Sequence, residues 1–218
     1  MGPNKVYRAV QGDPLLSFPL RAVRAFPKRV GLVVVARQED RSQLDHLIAG
    51  FSDLSPRVVL GGRTRHRSEM AGLDAVGVKA GDLIGIHDGA RPFLTAELWE
   101  RCCAAAGSGG GAIPVLRSEA IFTKDSAQLR RLDGVMRAQT PQVFAGPHLL
   151  DAYRAAERQG GFAGVDTAET FARFTDYPIA AVRGDYRNLK VTTRADFQRA
   201  EALAKEWSPE RWLSPGVG

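Results

Sequence analysis

The stretch DLIGIHDGARPF, residues 82–93, ends an apolar run on an aspartate, a glycine and an arginine. A carboxylate at the carboxyl end of a strand can hold a ribose hydroxyl or a metal ion. A glycine lets a ligand approach the main chain. An arginine can grip a phosphate with two parallel hydrogen bonds. Asp88, Gly89 and Arg91 carry these capacities, and ligands of open α/β sheets bind beyond the carboxyl ends of the strands. GGRTRHRS, residues 61–68, is a glycine turn rich in donors that enters a helix, an arrangement that suits anions. It contributes Gly61, Arg65 and Ser68. NLKVTTRADF places Lys190 inside a short strand ahead of a helix, and NKVYRAVQGDPLL places Lys5 ahead of a helical segment starting near Pro14. Each piece alone also fits a structural role. Asp88 can cap its loop and pair with Arg91, the basic turn can be a solvated loop, and Lys190 can be an edge-strand residue. The histidines at 46, 66, 87 and 148 show no metal-ligand spacing.

These residues need a scaffold, and the pattern around them supplies one. VGLVVVA (30–36) reads as a buried strand. The following segment puts Leu44, Leu47, Ile48 and Phe51 on one helical face. RVVL (57–60), a helix over about 68–76, the strand DLIGIH, a helix capped by Thr95 and the strand AIPVL continue the alternation. Such a β-α-β-α order predicts a mostly parallel sheet with helices on both faces. The pattern then breaks. Residues 117–139 read as an extended arm or hairpin rather than a helix. Two further helical segments, the strand YPIAAVRG and a closing helix capped by Thr193 complete the chain, read as a single domain over 1–218.

The chain has 218 residues, 44% of them hydrophobic and 25% charged, which is ordinary for a soluble globular protein. No stretch has the length and apolarity of a membrane span, and the first residues lack the core of a signal peptide. The two cysteines, 102 and 103, are adjacent and suit a reducing compartment. These features predict a cytoplasmic protein. A net charge of +6 fits either a plain basic surface or a site for polyanions such as nucleoside triphosphates. No basic run interleaves with stacking aromatics, so nucleic acid is not expected as a partner.

In order along the chain, NKVYRAVQGDPLL, GGRTRHRS, HDGARP, AQTPQVF and NLKVTTRADF resemble the motifs of cytidylyltransferases that make cytidine diphosphate-alcohols. The resemblance is closest to the 2-C-methyl-D-erythritol 4-phosphate cytidylyltransferase family and spans nearly the whole chain. It implies a nucleotidyltransferase-type α/β sheet, with a β-arm at about 117–139 that builds a homodimer. It implies CTP lying across the strand ends with Mg²⁺ on its phosphates. Gly61, Arg65, Ser68, Asp88 and Gly89 would hold the nucleotide, Asp88 also facing the metal. Lys5 and Lys190 would neutralise the triphosphate. Arg91, Ser118, Arg131, Thr140 and Asp166 would face the acceptor polyol phosphate. Such chemistry needs positioning and charge more than a nucleophilic side chain, in keeping with a sequence that shows no Ser/His/Asp or Cys/His set.

Three departures from the family pattern stand out. The family's glycine-rich loop of the form AAG-G-R-G, with the strand before it, does not occur in these residues; the expectation is that both lie upstream and that this polypeptide alone binds CTP weakly or not at all. In the arm, Arg117 and Ser118 stand where the family carries an Asp-Thr pair. Val165-Asp166 and Arg187-Asn188-Leu189-Lys190 replace Thr-Asp and Asp-Asn-Ile-Lys. The nucleotide half thus matches better than the acceptor half. Another acceptor, such as ribitol 5-phosphate, and an inactive nucleotide-binding relative are the alternatives. A dinucleotide-dependent oxidoreductase is disfavoured, because no G-x-G-x-x-G follows a strand.

Overall fold

The computed structural model describes residues 4–28, 30–107, 109–118, 121–125, 128–160, 162 and 164–212, with 122–125 and 128–131 as backbone only. Lys5–Tyr7 form one 3-10 turn, and the short strands β1 (Ala9–Val10) and β2 (Asp13–Pro14) pair as a tight ribbon before α1 (Ser17–Arg24). Pro14 therefore closes the ribbon, and the helix begins three residues later than the sequence suggests. Ser17 donates its hydroxyl back to the Pro14 carbonyl at 2.7 Å, fixing the entry to the helix.

β3 (Val33–Ala36) runs parallel to β4 (Arg57–Leu60), with α2 (Arg41–Ala49) as the crossover. α3 (Arg65–Val76) leads to β5 (Leu83–Ile86), and α4 (Ala96–Ala106) leads to β6 (Gly111–Arg117). β7 (Ile121–Asp125) and β8 (Gln128–Leu132) pair as an antiparallel hairpin. β9 (Met136–Ala138) returns along β6, and β10 (Gln142–Ala145) enters the sheet. α5 (Gly146–Arg158), α6 (Thr167–Phe174), β11 (Ile179–Arg183) and α7 (Arg194–Leu203) follow.

The larger sheet has the order β11-β6-β10-β5, with β9 also on β6. β6 and β11 are parallel, while β10 runs antiparallel to both neighbours. β5, β6 and β11 thus point the same way, as crossover connections through helices require. The pair β3-β4 forms a sheet of its own. A cavity of about 900 Å³ lies between the two sheets, with Val33–Ala36 along one wall and Leu83–Ile86 along the other. Among the described residues, both strands present it an edge not paired in either sheet.

The core falls in three clusters. Phe18, Phe93, Leu94, Phe197, Trp207 and Trp212 pack the α1 and α7 side. Leu73, Phe144, Leu149, Tyr153 and Phe171 join α3, β10, α5 and α6. Leu98, Cys102, Ala112 and Val143 hold α4 on the sheet. Leu44 and Phe51 are buried as the helical face predicts, with Leu47 and Ile48 half-buried beside them. Thr95 and Thr193 cap α4 and α7 as expected, the latter with Asp196 in a reciprocal capping box. One expected element is absent: residues 188–191 form no strand. Val191 makes only one sheet-like bond, its N–H to the Ala90 carbonyl at 2.8 Å, because Leu189 and Val191 turn into the α1-α7 core rather than along an edge.

The β6-β10 pairing depends on a missing side chain. A Cβ on Gly111 would lie 2.3 Å from the ring of the fully buried Phe144, its partner across the strands. Gly111→Ala is expected to cost about 1–3 kcal/mol by overpacking. Urea unfolding of the two proteins measures it; an unchanged midpoint means that the ring moves freely.

Candidate active site

β5 ends at Ile86, and the next residues, HDGARP, turn across the carboxyl ends of the sheet. His87 organises this turn. Its Nε2 lies 3.0 Å from the Arg91 carbonyl and its Nδ1 lies 3.1 Å from the Thr140 hydroxyl. The carbonyl can only accept, so Nε2 carries the proton and Nδ1 accepts from Thr140. The same hydroxyl accepts from the Asp88 N–H at 3.1 Å. One neutral imidazole and one hydroxyl thereby lock the main chain on either side of Asp88.

The Asp88 carboxylate points into a ring of cations. Lys190 Nζ is 2.9 Å from Oδ2, Arg65 donates to Oδ1 at 3.1 Å, and Arg91 Nε lies 3.8 Å from Oδ2. Burial works to raise the Asp88 pKa, but the Lys190 hydrogen bond and the charges of Arg65 and Lys190 outweigh it and hold the carboxyl below its ordinary value. Arg91 is lowered by burial, against the pull of Asp88. Three cations around one carboxylate leave net positive charge in a sheltered place, and such places concentrate anions.

Lys190 reaches the ring because its loop is pinned from below. Asn188 is fully buried and donates to the Thr140 carbonyl at 2.8 Å. Gln139 donates to the carbonyls of Asn188 at 3.0 Å and Asp185 at 2.8 Å, and accepts from the Asp185 N–H. Arg91 donates to the Asn188 carbonyl at 2.9 Å. Three motifs far apart in sequence are thus one polar lattice at the strand ends. None of these bonds uses the Lys190 side chain.

The cavity between the sheets is lined at this end by Gly61, Arg65, Ser68, Asp88 and Gly89. Gly61 has no room for a side chain, since a Cβ would lie 2.8 Å from Ser68 Oγ. Ser68 donates to the Thr64 carbonyl at 2.9 Å. Thr64 caps α3 by accepting from the Arg67 N–H at 3.1 Å, so the helix starts at Arg65 and the donor-rich turn forms its first turn. Lys5 is half-buried in the N-terminal 3-10 turn and lies outside the ring. Ser118 follows β6 at the base of the arm, its hydroxyl buried and without a partner among the described residues. Arg131 lies in β8, and its side chain falls outside the described residues. Thr140 is buried with its hydroxyl engaged as above. Asp166 caps α6, accepting from the Glu169 N–H at 2.9 Å and from Gln142 at 3.0 Å. His87, Gln139 and Asn188 escaped the sequence reading; the only signal for them was their place inside the motifs that carry Asp88, Thr140 and Lys190.

Among the described residues no three His, Cys, Asp or Glu side chains converge as a metal-binding group. Among the described residues Asp88 is the carboxylate at the strand ends, while Glu69 on the same cavity is engaged by Arg65, Thr167 and Tyr153. That suits a hard cation held mainly by substrate phosphates better than one held in an all-protein cage.

The mixed sheet, the helices around it and the cation-ringed aspartate at the strand ends define a nucleotidyltransferase-type α/β protein. The 2-C-methyl-D-erythritol 4-phosphate cytidylyltransferase family model, IspD, matches residues 1–206, and the chain belongs to that family of enzymes. It is 35% identical over 212 residues to the bifunctional enzyme IspD/IspF of Rhodopseudomonas palustris strain HaA2, covering 92% of this chain and 51% of that protein. The chain thus spans about half the length of these relatives. The structure is similar to that of 2-C-methyl-D-erythritol 4-phosphate cytidylyltransferase from Thermus thermophilus, with a TM-score of 0.76 and 28% identity over 92% of this chain and 94% of that one. It is also similar to 4-diphosphocytidyl-2C-methyl-D-erythritol synthase from Anaerococcus prevotii, with a TM-score of 0.81 and 27% identity over 90% and 88% of the two chains.

The locked turn has a pH signature. Burial holds the His87 pKa down to about 4, with the Arg91 carbonyl and Asp88 pulling the other way. An unfolded histidine binds its proton near pH 6.5. Between these values the unfolded chain binds a proton that the folded chain refuses. The stability due to this group is therefore whole above about pH 6.5 and is lost as pH falls towards 4. Urea midpoints are expected to drop between about pH 7 and pH 5, and His87→Asn to flatten that part of the profile. An identical drop in the variant places its cause elsewhere.

Proposed function

We propose that this chain transfers a cytidylyl group from CTP to 2-C-methyl-D-erythritol 4-phosphate and releases pyrophosphate, with Mg²⁺ as the metal. The carrying observation is the Asp88 carboxylate held among Lys190, Arg65 and Arg91 at the strand ends, on a cavity also lined by Gly61, Ser68 and Gly89. Family membership and the names of its structural relatives support the reading.

In this reading an acceptor phosphate oxygen attacks the α-phosphorus of CTP as the bond to the bridging oxygen of pyrophosphate breaks. The charge that moves to the leaving group needs cations already in place. Lys190 is two-fifths exposed and bonded to Asp88 on one side only, so it can meet a phosphate without unfolding its loop. Arg65 and Arg91 steady Asp88 and add positive charge. Asp88 would hold Mg²⁺ together with the substrate phosphates, and the metal would supply further charge neutralisation there. Lys5 contributes to the triphosphate site, and Arg91, Ser118, Arg131, Thr140 and Asp166 to the acceptor side.

We also infer a cytoplasmic homodimer, folded as one domain over 1–218 and assembled through the 117–139 arm. Leu132 and Met136, at the base of the hairpin, are 40% and 50% exposed, and a two-stranded arm gains stability by packing on a partner. Neither nucleic acid nor membrane enters this reading, and no helix among the described residues is long and apolar enough to cross a bilayer. Light scattering at micromolar concentration is expected to give twice the chain mass; a monomer overturns the arm's role.

Pyrophosphate release with CTP and each of several polyol phosphates tests the reaction. The expected result is turnover with 2-C-methyl-D-erythritol 4-phosphate and little with ribitol 5-phosphate; the reverse order reassigns the acceptor. Lys190→Ala is expected to keep the fold and lower turnover by about a hundredfold or more, the scale of losing one transition-state charge stabiliser. Undiminished turnover in a folded variant removes Lys190 from the chemistry.

A further inference from the structure

Glu69 lies one helical turn beyond Arg65 on α3, and its side chain is only 10% exposed. A carboxylate so sheltered must be matched by donors. Arg65 Nε donates to Oε1 at 2.7 Å, and Thr167 donates to the same oxygen at 3.2 Å. The Tyr153 hydroxyl donates to Oε2. Tyr153 and Thr167 are fully buried and come from α5 and α6. Burial, and then the neighbouring Glu69 charge, raise the Tyr153 pKa, so the phenol stays protonated and remains a donor.

The other side of the same guanidinium reaches Asp88, where Arg65 donates to Oδ1 at 3.1 Å. Arg65 is thus held between two carboxylates, one anchored in the packed α5-α6 layer and one at the strand ends. A third of its side chain remains exposed, and it lines the cavity. Burial acts to lower the Arg65 pKa, but the charges of Glu69 and Asp88 outweigh it. An arginine on a first helical turn has many rotamers in water, and a bond to Asp88 alone fixes one end of its fork. Glu69 fixes the other.

We propose that Glu69 is a positioning residue for nucleotide binding. It sets Arg65 in the orientation that both steadies Asp88 and presents a cation to the triphosphate. The proposal rests on the reading that CTP binds in this cavity. Glu69 also lines the cavity, but Arg65, Thr167 and Tyr153 engage both its oxygens, so it acts through Arg65 and carries the rigidity of the α5-α6 layer to the site.

The test is a double-mutant cycle read by isothermal titration with CTP and Mg²⁺. Glu69→Gln keeps the shape and an acceptor for Tyr153 but loses the charge that holds Arg65. It is expected to weaken CTP binding about tenfold, the low end for removing an outer partner that orients a binding group. Arg65→Ala weakens binding as well. In the Arg65→Ala background, Glu69→Gln is expected to add nothing, because its effect runs through Arg65. Additive losses, or unchanged affinity in Glu69→Gln alone, overturn the proposal. Should Glu69→Gln not fold, Glu69→Asp gives the same test, since it keeps the charge but shortens its reach by one methylene. A wild type that binds no CTP removes the reading of the site and the inference together. A wild type that binds CTP and a variant that matches it remove the inference alone.

Discussion

The structure depends on keeping one carboxylate ionised in a sheltered position. Asp88 is 17% exposed on its side chain and would bind a proton if left alone there. Lys190 and Arg65 prevent it, and Arg91 is the third cation, 3.8 Å away. Each of the three arrives on a different piece of chain: the loop before α7, the first turn of α3, and the turn after β5. The elements between them serve to bring these three ends together. A buried charge ringed by opposite charges tolerates little displacement, since breaking one such pair leaves its partner uncompensated. This explains why so much hydrogen bonding is concentrated below the ring, through His87, Gln139, Thr140 and Asn188.

The two layers of support differ in kind. Under Lys190 and Arg91 the support is polar: the side-chain amides of Gln139 and Asn188 donate to main-chain carbonyls, and the Thr140 hydroxyl accepts from the Asp88 N–H and donates to His87. Under Arg65 it is a carboxylate set in an apolar layer, where Glu69 meets Tyr153 and Thr167. The Tyr153 ring also stacks on His66 of α3 at 4.7 Å between centroids, so α3 is fastened to α5 at two adjacent positions. The glycines of the GG turn complete this arrangement by letting the main chain after β4 pass close to Ser68 and Arg67.

Much of this was legible in sequence because the signals were local. Strand runs such as VVVA and LIGI, and the caps Thr95 and Thr193, depend on residues within a few positions of one another, and they stand where expected, except that β3 is shorter than the 30–36 run and part-exposed, with Val35 at 37%, rather than buried. Asp88, Arg65, Arg91 and Lys190 were identifiable as site candidates, but the motifs gave no reason for them to touch; long-range pairing brings them together. The misreadings share that cause. NLKV has strand-forming side chains, but Leu189 and Val191 are drawn into the core between α1 and α7 and the main chain bonds only once to Ala90. Pro14 suits the start of a helix but ends a ribbon whose pairing sets the chain direction. β10 runs antiparallel to both neighbours because the chain re-enters the sheet from the returning hairpin. Glu69 was invisible because its partners lie on α5 and α6, far along the chain.

The central claim is that Asp88 is ionised because cations surround it. The most direct measurement is a pH titration of the Asp88 side-chain carboxyl carbon by NMR. The carboxyl is expected to stay ionised below the ordinary aspartate value of about 3.9, and Lys190→Ala to move its titration upward. A carboxyl that takes its proton above that value in the wild type would mean that burial prevails over the cations, and the account of the site would fail.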